Sequence, residues 1–137
     1  ATPHNDLARA YLGSAYARKA KHSFFPTTNL SNRKKGKSLL EAAVAGSPDK
    51  PRVRMVRAIA YYKVPKYFDT RPTSIADFEK LLAVIKKGNS SLQKNEQQAI
   101  LYYTHLAFAE ENHPQAEEAK LLCHKIDPNS KYGKLTQ

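Results

Sequence analysis

Apolar and polar residues alternate along this chain with the three-to-four-residue spacing of α-helices. Leu7, Ala10 and Tyr11 begin such a stripe directly after Asn5 and Asp6, either of which is a favourable helix N-cap. Similar stripes recur between prolines and glycines, which end helices or stand in their first turn. The pattern predicts six helices, at about 6–22, 29–45, 51–63, 72–87, 91–111 and 114–126.

No part of the pattern favours a β-sheet. The β-branched residues are scattered rather than alternating, and glycines number only five. A chain of 137 residues with 41% hydrophobic residues can bury a core without metal or disulfide links. We therefore expect an all-α fold in which antiparallel helices are joined by short loops.

A proline-bounded segment, SPDKP, separates two alanine-rich helical runs at residues 47–51. A similar ending, LLCHKIDPNS, closes the last predicted helix, and Ala43 and Cys123 each lie five residues before the proline. In these features the chain resembles tetratricopeptide-repeat proteins, whose units are helix pairs closed by an Asp-Pro type of turn.

The resemblance also rests on small and aromatic residues in the first helix of each unit. The matching positions are Leu12, Gly13 and Tyr16, then Ala58 and Tyr61, and more weakly Thr104 and Ala107. A small residue lets two helices approach closely, and the aromatic fills the groove beside it. The resemblance implies about three units, at 5–47, 48–88 and 89–130, stacked as a short right-handed superhelix. The sequence also resembles an uncharacterised bacterial family with this repeat, which implies no function.

In such repeats the first helices line a concave groove. The resemblance implies a groove lined by Ser14, Arg18, Arg52, Met55, Tyr62, Lys63, Gln98, His105 and Phe108. An apolar floor with a flexible methionine and a basic edge suits an acidic or apolar-acidic peptide segment. The alternative is that three units form too short an arc, and that Met55 and Phe108 belong to the core.

Two connections are longer than the tight turns of the repeat family, HSFFPTTNLSNRKK and KVPKYFDTRPT. Both combine aromatic and basic residues, and long loops are more often functional than idle. We expect both to be loops, and the first is a candidate lid over the groove. The alternative is that Phe24, Phe25, Tyr67 and Phe68 tuck between the helices.

Basic residues dominate the charge, which is +11 at pH 7. No acidic residue stands between Asp6 and Glu41, whereas this stretch holds the basic-patch candidates Lys19, Lys21, Arg33, Lys34, Lys35 and Lys37. We predict a protein–protein interaction module for an acidic partner, with electrostatic steering of the encounter. One alternative is single-stranded RNA or DNA bound through the basic, aromatic-containing loops, and another is a solvated lysine-rich surface. No helix has the strongly basic amphipathic pattern of a membrane-surface helix.

No residue pattern predicts catalysis, a metal or a cofactor. The histidines, His4, His22, His105, His113 and His124, lack metal-ligand spacing. Cys123 is predicted to be a small buried residue. The sequence has no nucleophile elbow, phosphate loop or glycine-rich dinucleotide turn, so we predict a non-enzymatic protein.

No apolar run reaches the roughly 20 residues that a membrane span needs. The chain begins at Ala1 rather than Met, which indicates processing and slightly favours a bacterial periplasmic or secreted location over the cytoplasm. The last predicted helix would leave the stack uncapped, so a homodimer is a candidate arrangement.

Overall fold

A computed structural model describes residues 5–137, so the histidine at position 4 lies outside the described residues. This part of the chain is helical and contains no strand, which confirms the all-α prediction. The helices are α1 (Asp6–Lys21), α2 (Pro26–Gly46), α3 (Pro51–Lys63), α4 (Arg71–Lys87), α5 (Lys94–Glu110), α6 (Ala116–Ile126) and α7 (Lys131–Leu135), with a 3-10 turn at Lys66–Phe68.

The second helix begins earlier than predicted. Pro26 stands in its first turn, where a missing N–H removes no intrahelical hydrogen bond, and the N–H of Asn29 donates to the carbonyl of Phe25 at 2.9 Å. The predicted long first loop is therefore wrong: it is a short turn followed by helix, and it forms no lid. Its basic residues from Arg33 onwards lie on α2.

The structure also contains a seventh helix that the pattern does not predict. Ser130 caps α7 by accepting a hydrogen bond from the N–H of Gly133 at 2.9 Å. Five residues are too few to show a helical stripe, so the sequence pattern places the end of the helical region at Asp127 and Pro128.

The chain forms two compact units, one ending at Ser74 and one spanning Ile75–Gln137. The first unit holds α1, α2, α3 and the 3-10 turn, and the second holds α5, α6, α7 and most of α4. The first unit has 15 Lys and Arg against 4 Asp and Glu, whereas the second has 8 of each. The whole formal charge of +11 therefore belongs to the first unit. The division into three repeat units stays a prediction.

In the first unit α1 packs along α2 and against α3. The closest approach of α1 and α2 is at two glycines: a Cβ added to Gly13 would lie 2.9 Å from the carbonyl oxygen of Gly36, and the reverse distance is also 2.9 Å. The two backbones thus touch without side chains between them, as the small residue at position 13 indicated. Leu40, Ala43 and Val44 complete the buried side of α2.

A carboxylate ties the start of α1 to the end of α2. Asp6 is buried, accepts the hydroxyl hydrogen of Ser47 at 2.6 Å, and pairs with Arg9 at 2.9 Å. Because both partners donate to it, the buried charge is compensated.

In the second unit α5 packs along α6, and α7 contacts both helices. Phe78, Leu82, Ile100 and Phe108 are among its fully or almost fully buried side chains. Gly88 follows α4 with a positive φ of 79°, which fits the predicted end of that helix.

Candidate functional site

A cavity of about 340 Å³ lies between α1 and α3 in the first unit. Its apolar wall includes Met55, Val56 and Ile59 on α3, and they face Ser14 and Ala17 on α1. These side chains line one space because apolar positions recur every three or four residues on both helices.

One end of the cavity is cationic. Ala17 and Ala20 form one buried cluster with Val64 and Phe68, so the C-terminal ends of α1 and α3 lie together. Arg18 and Lys63 line the cavity near this end. The remaining ionisable residues that line the cavity are Lys21, His22 and Tyr11. The described residues contribute no carboxylate to its lining, so the charged side chains that line it are basic and attract an occupant with negative charge.

Four of the residues predicted for the groove line this cavity: Ser14, Arg18, Met55 and Lys63. Met55 is only 8% exposed, so it forms a wall of the cavity while most of its surface belongs to the core.

The other two α3 candidates do not line the cavity. Arg52 is half-buried on α3. Tyr62 is also half-buried, and its ring lies under the guanidinium of Arg71, 4.5 Å from the ring centroid. Its carbonyl accepts a hydrogen bond from the same guanidinium at 3.1 Å.

The α5 part of the predicted groove is corrected by burial. Gln98 is 2% exposed and donates to the carbonyl oxygens of Cys123 at 2.9 Å and Asp127 at 3.0 Å. Phe108 is fully buried and stacks on the ring of His113 with the centroids 3.8 Å apart. Neither side chain is available to a ligand in a groove, and Phe108 belongs to the core.

His105 lies half-buried beside α6, with its Nδ1 atom 3.1 Å from the carbonyl oxygen of Ala116. The alignment with the repeat assigned Gln98 and His105 to the groove, but both side chains lie on the face of α5 that packs against α6. The burial of residues along α5 distinguishes this face from the exposed one. Thr104 and Ala107, the positions of the weaker repeat match, are fully buried as well.

A second cavity of about 220 Å³ lies beside α2 in the first unit. Arg33, Lys34 and Lys37 line it, and Asp69 is the one carboxylate that the described residues add to its lining. Ala17 and Val64 line both cavities, so they form a shared wall.

Arg33 is held in place by aromatic residues of the 3-10 turn. Its guanidinium lies 4.7 Å from the ring centroid of Phe68 and 5.8 Å from that of Tyr67. It also donates to the carbonyl oxygen of Tyr67 at 3.3 Å. A stacked guanidinium keeps its charge and the rest of its donors for a further partner.

The predicted basic patch is thus divided among three places. Arg33, Lys34 and Lys37 line the second cavity, and Lys21 lines the first. Lys19 and Lys35 lie close to the Tyr16 ring, each 5.6 Å from its centroid.

The aromatic residues of the two connections differ in exposure. Phe68 is buried at 5% exposure, so the prediction that these rings tuck between helices is right for this residue. It is wrong for Phe24, Phe25 and Tyr67, which are 96%, 70% and 62% exposed.

Cys123 is fully buried, as predicted, and its Sγ donates to the carbonyl oxygen of Gln98 at 3.4 Å. Burial raises the pKa of this thiol, which disfavours the reactive thiolate. Among residues 5–137 no group of three or more His, Cys, Asp or Glu side chains is placed to hold a metal ion. The same residues include no helix whose length and apolar character would let it cross a membrane.

Comparison of the chain with known protein families, with curated proteins and with solved structures finds no match in any of the three. The resemblance to tetratricopeptide repeats stays a hypothesis.

Proposed function

We propose that this protein is a non-enzymatic interaction module that holds an acidic, partly apolar segment of a partner protein between α1 and α3. The observation that carries the proposal is the cavity of about 340 Å³ with an apolar wall and a cationic end. Its volume falls near the lower limit of ordinary ligand pockets, which suits one or two partner side chains rather than a whole helix.

The two ends of the cavity give the partner segment a direction. An apolar partner side chain would rest against Met55 and Ile59, and a carboxylate would pair with Arg18 and Lys63. Arginine binds carboxylates in a planar, bidentate arrangement, so Arg18 would orient the partner's carboxylate as well as increase the affinity for it. The charge of the first unit would increase the rate of encounter with an acidic partner.

The arrangement of helices that best supports this function is a stack of tetratricopeptide-like units. In such a stack α1 and α3 would be the first helices of successive units, and the contact between their C-terminal ends supports this arrangement. The right-handed superhelix is part of the proposal.

The test replaces two cavity cations by acids in one variant, Arg18→Glu with Lys63→Glu. We expect the affinity for a fluorescent peptide of alternating leucine and glutamate to fall about tenfold or more, because attraction becomes repulsion in a partly desolvated site. Fluorescence anisotropy at fixed salt measures the dissociation constant, and circular dichroism verifies that the helical content is unchanged.

The matched control is Lys50→Glu with Lys80→Glu, which changes the net charge equally at exposed positions outside both cavities. An equal loss of affinity in this control would show that the peptide responds to overall charge, and it would remove the groove assignment.

The single-stranded nucleic-acid alternative rests on the second cavity, where Arg33 lies beside the exposed ring of Tyr67. If phosphates bind there, neutralising Arg33, Lys34, Lys35 and Lys37 would flatten the dependence of affinity on salt. Binding of a single-stranded oligonucleotide would support this alternative.

A further inference from the structure

The turn between α1 and α2 presents the two most exposed phenylalanines of the described residues. Phe24 is 96% exposed and Phe25 is 70% exposed, at the end of the α1–α2 hairpin. We call residues 23–26 the hairpin tip. Burial of apolar surface stabilises a protein, and these two adjacent phenyl rings remain in water in this fold.

The hairpin tip is fixed by hydrogen bonds. Ser23 Oγ accepts the N–H of Phe25 at 3.3 Å, and the side chain of Asn29 donates to the carbonyl oxygen of Ala20 at 2.6 Å. Pro26 restricts the backbone further at the start of α2. The two rings are therefore held outside the protein by an ordered turn.

Cations stand behind the rings on both helices. Lys21 precedes the hairpin tip and is exposed, and Lys34 lies eight residues along α2 from Pro26, which is about 12 Å at 1.5 Å per residue. The sequence has no acidic residue from position 7 to position 40. The order from the outside inward is thus apolar first and cationic second.

This order matches the surface of an anionic lipid bilayer. Apolar groups enter the boundary between headgroups and acyl chains, and Lys or Arg side chains then meet the anionic headgroups. A nucleic acid fits less well, because stacking proteins align rings along a basic groove, whereas these rings are exposed on the turn between two helices and line neither cavity. An acidic peptide would pair with the cations but would leave the rings in water.

We infer that the hairpin tip is a peripheral membrane-binding site, in which Phe24 and Phe25 insert at the interface of an anionic bilayer and the surrounding cations bind its headgroups. This inference goes beyond the groove, since neither phenylalanine lines either cavity. Substitutions of Phe24 and Phe25 should therefore leave peptide binding between α1 and α3 unchanged.

The first experiment places a fluorophore at the tip. The chain contains no tryptophan, so Phe24→Trp gives emission from one known position. We expect a blue shift on phosphatidylcholine vesicles that contain phosphatidylserine and none on phosphatidylcholine alone. The shift should disappear at about 1 M salt, where the screening length is about 3 Å. Soluble glycerophosphoserine should produce no shift, because it offers a headgroup without a bilayer.

The second experiment removes the rings. Phe24→Ser with Phe25→Ser should lower the vesicle partition coefficient about tenfold or more in a co-sedimentation assay. The matched control, Leu121→Ser with Leu135→Ser, removes two exposed apolar side chains of the second unit, 61% and 54% exposed, and should not change partition.

Three outcomes overturn the inference. One is an emission maximum of Phe24→Trp that does not move on anionic vesicles at any salt concentration. The second is an equal loss of partition in the Leu121 and Leu135 control. Quenching of the same fluorophore by a single-stranded oligonucleotide, without a shift on vesicles, would also overturn it and would favour the nucleic-acid alternative.

Discussion

At the scale of single residues, Glu118 shows how an acidic side chain near a helix start acquires a partner on another helix of the fold. Its carboxylate accepts a hydrogen bond from Lys86 on α4 at 2.8 Å, and a second one from the side-chain amide of Gln115 at 3.1 Å. The hydrogen bond from Lys86 lowers the pKa of Glu118 below its ordinary value of 4.5. The predicted helix at 114–126 places this acid near a helix start but does not reveal its partner, since Lys86 is far away along the chain.

Replacing Glu118 by glutamine should reduce the free energy of unfolding by well under about 1 kcal/mol near neutral pH, because exposed pairs are screened by solvent. Since the folded pKa is depressed, this stabilisation is present above about 4.5 and is lost as the pH falls through the lower folded value. Urea unfolding at neutral and acid pH measures the difference. The neighbouring Glu117→Gln, at an exposed position, is the control, and an equal effect there would contradict the role of Lys86.

At the scale of elements, the contact of α1 with α2 depends on the absence of two side chains. A methyl group at position 13 would also lie 2.9 Å from the Leu40 side chain, in addition to the backbone of Gly36. Contacts this short require the helices to move apart, and that movement loosens the buried surface around Ala17 and Ala43.

Gly13→Ala should therefore lower the free energy of unfolding by about 1–3 kcal/mol, the usual cost of overpacking, although alanine favours helix by up to about 1 kcal/mol. The midpoint of urea unfolding measures the change. Ser38→Ala, at an exposed position of α2, adds a good helix former without a clash and should be neutral or slightly stabilising. A stabilising effect of Gly13→Ala would show that α1 and α2 pack less closely than described.

The elements also show what the sequence can and cannot predict. The apolar stripes predicted both ends of α1, α3, α4 and α6 to within about two residues, because burial of one helix face requires apolar residues at the helical period. The start of α2 was missed because proline both ends helices and opens them, and local sequence does not distinguish the two uses. Register placed four of the α1 and α3 candidates around the first cavity but not Arg52 or Tyr62. The α5 side failed at Gln98 and Phe108, because register does not say which neighbour a face meets.

At the scale of the whole molecule, charge is distributed unequally. The first unit carries the entire excess of positive charge, and the second unit is balanced. Like charges that are held together oppose folding, and dissolved salt screens them. The same excess that attracts an acidic partner therefore weakens the unit that carries it.

Raising the salt concentration from low to physiological should slow native-state hydrogen exchange of amides in α1 and α2 and leave amides in α5 and α6 nearly unchanged. The reason is that only the first unit has net repulsion to screen. Exchange measured by mass spectrometry after proteolysis resolves the two groups of amides. If salt slowed exchange equally in α1, α2, α5 and α6, the repulsion between positive charges would not be confined to the first unit.

The two glycines at positions 13 and 36 have a consequence for how the sequence can vary. In most cores a larger residue is accommodated when a neighbour becomes smaller, so pairs of positions compensate for each other. Here each missing side chain faces a backbone carbonyl oxygen, and no substitution makes a carbonyl smaller. In a library selected for folded protein, Gly13 and Gly36 should each be retained independently, while Leu40 beside them exchanges for other apolar residues.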